Sequence, residues 1–285
     1  MAVARHGTGP GPAVRALASQ VHPVFMLPPL ASSALGALLA RSASVSPSLA
    51  TLHLGVVFVA LYTAHVKDGY VDFHRRGEDD DHPLTAGGCR AALLGASIAF
   101  FAGTTALGVV VGPGAALLAL PGWLVGVLHA PQLDTNPITA TAGYPLGVGF
   151  ALVGGHYVQA GALAPVPVAL AAVFVVTLSG IKVIDDAKDY DYDRSVEKRT
   201  VAVVLGRARA RRVAFGLMAS GMVAVAGLAA TGVLPLSAAG APVPFAVVAA
   251  LAAGADAEHA TMLLIRGSYV FLAVLVAAVW FRPLA

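Results

Sequence analysis

Nine apolar stretches, separated by short polar segments, make up most of this chain. They run over residues 21–40, 49–66, 91–111, 115–130, 141–158, 166–184, 213–233, 238–253 and 260–281. A helix needs roughly 20 apolar residues to cross about 30 Å of hydrocarbon, and most of these stretches come close to that length. The fourth and the eighth are the shortest. The pattern predicts an all-α, polytopic membrane protein with about nine transmembrane helices in a single bundle. Several stretches carry internal Pro and Gly, which membrane helices tolerate because neighbours satisfy the freed backbone groups. The 31 glycines and abundant alanines suit close helix packing in lipid.

Composition agrees with this pattern. Of 285 residues, 58% are hydrophobic and only 12% charged, with a mean hydropathy of +0.79; soluble domains carry about 25% charged residues. A pI near 9.2 does not indicate nucleic acid, because the basic residues lie in the segments between apolar runs instead of in one patch. Their distribution follows the positive-inside tendency. Arg75, Arg76 and Arg90 follow the second stretch, and Lys188, Arg194, Lys198, Arg199, Arg207, Arg209, Arg211 and Arg212 follow the sixth. The segments after the third, fifth and seventh stretches have no Lys or Arg, and the first is followed only by Arg41. This bias predicts a multi-pass cell-membrane protein with its N-terminus and both acidic segments on the cytoplasmic side. Residues 1–20 are Gly- and Pro-rich and weakly basic, and read as a cytoplasmic tail ahead of a transmembrane domain over 21–285. The single Cys89 excludes an intramolecular disulfide, gives no metal cluster, and reads as a small loop residue.

The acidic residues are unevenly placed. Of fifteen Asp and Glu, six lie between Asp68 and Asp81 and six between Asp185 and Glu197. Asp185, Asp189 and Asp193 recur at intervals of four, as do Asp68 and Asp72. Residues four apart share one face of a helix, so like charges at this spacing repel unless a cation lies between them. Carboxylates near a membrane are costly and functional by default. Mg²⁺ takes oxygen ligands and binds through one or two carboxylates plus substrate phosphates. Asp68, Asp72, Asp185 and Asp189 are therefore candidate ligands for metal ions that bridge to a diphosphate. An apolar tunnel behind them would receive an isoprenyl tail. Glu78, Asp79, Asp80 and Asp81 read as a solvated loop, and Asp186 and Asp191 as solvated flanks.

The chain resembles the UbiA superfamily of intramembrane prenyltransferases. Asp185-Asp-Ala-Lys-Asp189-Tyr-Asp191-Tyr-Asp193 is similar to that family's DxxxD element. Lys198-Arg199-Thr200-Val-Ala-Val-Val-Leu205-Gly206 resembles the tail of its menaquinone-pathway (1,4-dihydroxy-2-naphthoate polyprenyltransferase) branch, as does Gly155-His-Tyr157-Val158-Gln159-Ala-Gly161. His82-Pro83-Leu84-Thr85 is similar to the RPL element that follows the first motif. There are departures. Asp68 stands where the family has Asn, Gly69 where a second Asp often falls, and residues 132–143 lack the Arg and Glu of the menaquinone branch.

The resemblance implies a nine-helix bundle around an apolar central cavity and Mg²⁺-dependent electrophilic prenylation of a lipophilic acceptor. A quinone precursor is the first expectation; a carotenoid or lipid acceptor, or cyclisation of the prenyl chain, are alternatives. It implies Mg²⁺ ligation by Asp68, Asp72, Asp185, Asp189 and Asp193, and diphosphate contacts from Lys67, Arg75, Lys188, Lys198 and Arg199. Arg207 to Arg212 read as topology determinants, and His65 and His156 as packing residues. Tyr70, Tyr144 and Tyr157 stand either towards the carbocation or as interfacial anchors. Two readings of other classes fare worse. A CDP-alcohol phosphotransferase needs D-G-x-x-A-R, and Val71-Asp72 replaces the Ala-Arg. An ion transporter does not explain carboxylates at helix ends beside Arg and Lys.

Overall fold

A computed structural model describes residues 2–40 and 45–281; Arg41, read above as a loop charge, lies outside them. The predicted helices are present. They are α1 Pro10–Ala18, α2 Pro23–Leu39, α3 Pro47–Val71, α4 Ala86–Val110, α5 Pro113–Leu128 and α6 Pro137–Ala160. They continue as α7 Pro165–Asp186, α8 Tyr190–Ser195, α9 Val201–Leu205, α10 Arg207–Ala230, α11 Pro242–Ala253 and α12 Ala257–Phe281. Every apolar stretch read from the sequence falls on one of them. Among the described residues, seven segments are long and apolar enough to cross a membrane, and α1 with α2, bent by 66°, makes up to eight. The short fourth stretch is the 16-residue α5.

Most of these helices begin with Pro at the first turn, where the missing N–H costs nothing and φ is already helical. Ser46, Thr85 and Thr200 cap α3, α4 and α9 by accepting a backbone N–H three residues on, which satisfies one of the donors a helix start leaves open. Large apolar side chains such as Leu94, Ile98, Val109 and Val110 of α4 face outward. In water that would be an aggregation hazard; on a membrane helix it is the lipid-facing surface.

The chain forms two compact units. The first is Met1–Leu133 with Leu146–Leu163, and the second is Asp134–Pro145 with Ala164–Ala285. In the first unit Val56, Ala60, Phe100, Leu107, Ala115, Ala119 and Val158 form one apolar cluster. There α2 meets α6 backbone to backbone: a Cβ on Gly36 would stand 2.0 Å from the carbonyl oxygen of Leu152. Only Gly allows that approach. The N-terminal residues are part of this unit's packing. The Arg5 amide donates to the Pro83 carbonyl (2.8 Å) and the Thr85 amide to that of Val3 (3.0 Å), around a single antiparallel bridge between Ala4 and Leu84. In the second unit α7 packs along α10, and α11 along α12.

Candidate functional site

The first acidic set lies where α3 runs out. Asp68 is in its last turn and is half-buried, and its carboxylate is 3.7 Å from Nε2 of His129, the residue that closes α5. One turn back, His65 stacks on His22 with ring centroids 4.7 Å apart, which agrees with the packing role read for it. Asp72 begins a π-helical turn, Asp72–Arg76, and pairs with Arg76 at 3.4 Å. Such turns recur at functional sites because the wider loop re-aims side chains. Arg75 is exposed and lies over the Tyr70 ring at 5.4 Å, and the Tyr70 hydroxyl meets Arg90 at 3.4 Å. Lys67 lines a small pocket with Leu93, Leu94, Ser97, Trp123 and Val127.

The departures in this motif fit one another. The imidazole of His82, in the RPL-like element, lies against α3, and a Cβ on Gly69 would come 2.5 Å from its Nε2. No side chain fits at 69 while His82 holds that place. Asp79 and Asp80 are exposed. Asp81 is also exposed, but it pairs with Arg5 at 2.9 Å and His6 at 3.0 Å.

The second set lies at the end of α7. Asp185 is in the last helical turn, with the Lys188 ammonium 2.6 Å away and that of Lys182 at 3.6 Å. Asp186, read from the sequence as a solvated flank, is buried and ion-paired to Lys182; its second oxygen is buried with no hydrogen-bond partner among the described residues. That expectation is corrected. The burial of Asp186 is a matter of tertiary packing, which spacing does not report. The unbroken face of Asp185, Asp189 and Asp193 is corrected too. The helix stops at Asp186, Asp189 sits exposed in the connecting turn, and α8 restarts at Tyr190. Asp191 is exposed as expected and pairs with Arg207 at 2.8 Å.

Asp193 turns inward. It is 4% exposed, and Lys198 stands 3.8 Å from it. Burial raises its carboxyl to a pKa of about 6, helped by Asp186 and Asp189 and opposed by Lys198. Glu197 takes a left-handed φ of 60°, uncommon for a residue with a side chain. It turns the chain so that the Lys198 amide donates to the Asp193 carbonyl and the Arg199 amide to that of Asp134, both at 2.9 Å. Arg199 is itself exposed. Thr200 then caps α9.

Asp68 and Asp72 in the first unit, and Asp185 and Asp193 in the second, stand beside basic side chains, while Asp189 is exposed in the turn. Two groups escaped the sequence reading. Lys182 lay inside an apolar run, yet its spacing of three and four from Asp185 and Asp186 was a usable signal. His129 had none, because its proximity to Asp68 depends on how α3 and α5 pack. Cys89, read as a loop residue, is buried in the first turn of α4.

Comparison with known proteins gives one consistent result. The model of the UbiA prenyltransferase family matches residues 29–267. No curated protein matches by sequence. A solved digeranylgeranylglyceryl phosphate synthase is similar with a TM-score of 0.71 at 14% identity, over 93% of this chain and 96% of that one. A UbiA homologue from Aeropyrum pernix K1 superposes with a TM-score of 0.68 at 19% identity, covering 90% and 97% of the two chains. A UbiA homologue from Archaeoglobus fulgidus, solved with GPP and Mg²⁺, gives 0.59 at 15% identity, covering 93% and 86%.

Proposed function

The chain belongs to the UbiA prenyltransferase family, and from that premise we propose that it is a Mg²⁺-dependent intramembrane prenyltransferase acting on an isoprenyl diphosphate. The observation that carries this reading is the setting of Asp185. Its carboxylate, at the end of a membrane helix, is balanced by two ammonium groups, and the one that stands closer belongs to the exposed Lys188. The donor set fits magnesium, which takes carboxylate oxygens together with substrate phosphates. Asp186 adds a buried oxygen with no hydrogen-bond partner among the described residues. The Archaeoglobus homologue solved with GPP and Mg²⁺ supports Mg²⁺ and a prenyl diphosphate as the ligands.

In the first unit Asp68 and Asp72 would hold Mg²⁺, and in the second Asp185 and Asp189 would, with Asp193 as a further candidate ligand. When bound, Mg²⁺ supplies Lewis-acid stabilisation of the departing diphosphate. Lys188 leaves Asp185 and donates to a diphosphate oxygen, a charge-assisted bond; Lys67, Arg75, Lys198 and Arg199 are the further cationic contacts. The apolar interior of the membrane domain over 21–285 keeps water from the allylic cation. The acceptor we propose is an aromatic quinone precursor, on the likeness of Lys198-Arg199-Thr200 and the helix it leads into to the menaquinone branch. The site opens to the cytoplasm with the N-terminus inside, following the bias of Lys and Arg.

The test is incubation of the purified protein with Mg²⁺, geranylgeranyl diphosphate and a dihydroxynaphthoate, with mass spectrometry of the products. A prenylated aromatic product, absent in Asp72→Ala and Asp189→Ala, supports the proposal. Diphosphate release unchanged in both variants would sink it. A prenylated lipid or a cyclic hydrocarbon would keep the ionisation chemistry and replace the acceptor.

A further inference from the structure

Away from the acidic sets, the first unit brings together three softer donors. His74 is on the π-helical turn, His82 on the loop that follows, and Cys89 in the first turn of α4. Each offers one ligand atom, and the three atoms lie within 4.8 Å of one another. Cys89 and His82 are buried and His74 half-buried. The Cys89 sulfur is 4.0 Å from Nδ1 of His82, and the two imidazoles meet edge-on with centroids 5.7 Å apart.

Hydrogen bonding alone serves this cluster poorly. His74 Nε2 and His82 Nδ1 both point at the Leu84 carbonyl, at 3.1 and 3.2 Å, while the Leu84 amide donates to the same Nδ1 at 3.2 Å. A ring nitrogen donates or accepts but does not do both. The nitrogen His82 offers to the cluster is this Nδ1, which faces the Cys89 sulfur, while its Nε2 lies against Gly69 of α3.

No carboxylate belongs to the cluster, so it does not suit Mg²⁺. A thiolate with imidazoles selects Zn²⁺ or Cu⁺ among biological cations. We propose that His74, His82 and Cys89 bind one zinc ion, distinct from the Mg²⁺ set, with water in the fourth position. On binding, the Cys89 thiol gives its proton to solvent and the thiolate becomes the ligand. Zinc holds nitrogen at about 2.0–2.1 Å and sulfur at about 2.3 Å in a tetrahedron. Donors in such a site stand roughly 3.5 Å apart, so these side chains close by about 1 Å. The ion ties together the π-helical turn, the loop after it and the start of α4. Asp72 begins that turn, so zinc stiffens the backbone that carries a proposed magnesium ligand.

Co²⁺ is the probe that tests this. The full-length protein, purified in detergent and stripped with chelator, is titrated with Co²⁺ in excess Mg²⁺. The expected result is a near-ultraviolet thiolate-to-Co²⁺ charge-transfer band that saturates at one equivalent. Cys89→Ser loses the band and His74→Gln weakens it, while Asp72→Ala and Asp189→Ala keep it. Zn²⁺ raises the melting temperature of the stripped wild type by several degrees and does not raise that of Cys89→Ser. A missing band, or one that persists in Cys89→Ser, overturns the zinc site and leaves the prenyltransferase reading untouched. Should Cys89→Ser fail to fold, the stoichiometry in the wild type and the loss in His74→Gln decide.

Discussion

The Nζ of Lys188 lies 2.6 Å from a carboxylate oxygen of Asp185, so the cation nearest this proposed metal ligand is one the chain supplies itself. With Mg²⁺ held at Asp185, Lys188 would be released from this pair and available to the diphosphate. Lys188→Ala removes that second use. A hydrogen bond to a charged group contributes about 1.5–3 kcal/mol, so KM for the prenyl diphosphate rises roughly 10- to 100-fold. Half-saturation by Mg²⁺ does not worsen, because a competitor for Asp185 is gone. Initial rates over a grid of the two concentrations measure both. An unchanged KM would remove Lys188 from the substrate contacts.

Lys182 has a different task. It is the ion-pair partner of the buried Asp186 and stands 3.6 Å from Asp185. Lys182→Met leaves Asp186 charged and uncompensated, and breaking such a pair costs about 3–5 kcal/mol. A lower melting temperature in detergent is the expected outcome. Changing both together, Lys182→Met with Asp186→Leu, restores most of it, because the unpaired charge is removed. If the double variant were as unstable as the single one, the pair would not be the reason Lys182 is there.

The all-helical membrane fold was legible because membrane thickness sets a length that apolar runs either reach or miss; nine runs were read, and among the described residues seven or eight spans meet that length. Within the site legibility was uneven, for reasons visible residue by residue. A spacing of four locates a shared face only while the helix lasts. The helix ends at Asp186, so Asp185 and Asp193 belong to different elements. Asp186 and Asp191 looked alike as flanking acids, yet one is buried and the other 81% exposed, a difference that tertiary packing makes and spacing does not report. Cys89 was judged by counting cysteines, which says nothing about the histidines that the fold brings beside it.

Asp193 makes stability depend on pH. Its folded pKa, about 6, is raised above the ordinary carboxylate value of 3.8, chiefly by burial. The folded state therefore holds the proton more tightly than the unfolded chain does. The resulting stabilisation is fully present below about pH 4 and is lost as pH rises through about 6. Asp193→Asn abolishes this dependence. Thermal melts from pH 4.5 to 8 should show the variant gaining on wild type by several degrees across that range, with the change centred between the two pKa values. A constant offset would mean that Asp193 titrates normally.

Gly69 and His82 are expected to act as one unit. A methyl group at 69 would meet the His82 ring at 2.5 Å, far inside van der Waals contact, and the ring is buried where it stands. Gly69→Ala must push His82 out or bend α3 beside Asp68, and overpacking of this kind costs about 1–3 kcal/mol. Because the displaced strain falls on the turn that carries Asp68, kcat should drop along with the melting temperature. His82→Ala opens the space, so the double variant Gly69→Ala with His82→Ala should be more stable than the sum of the two single changes predicts. Residues in contact show such coupling, typically 0.5–3 kcal/mol, whereas distant ones add. A double-mutant cycle on melting temperature and kcat measures it. Strict additivity would mean that Gly69 is not held small by His82, and that the loss of the family's second Asp has another origin.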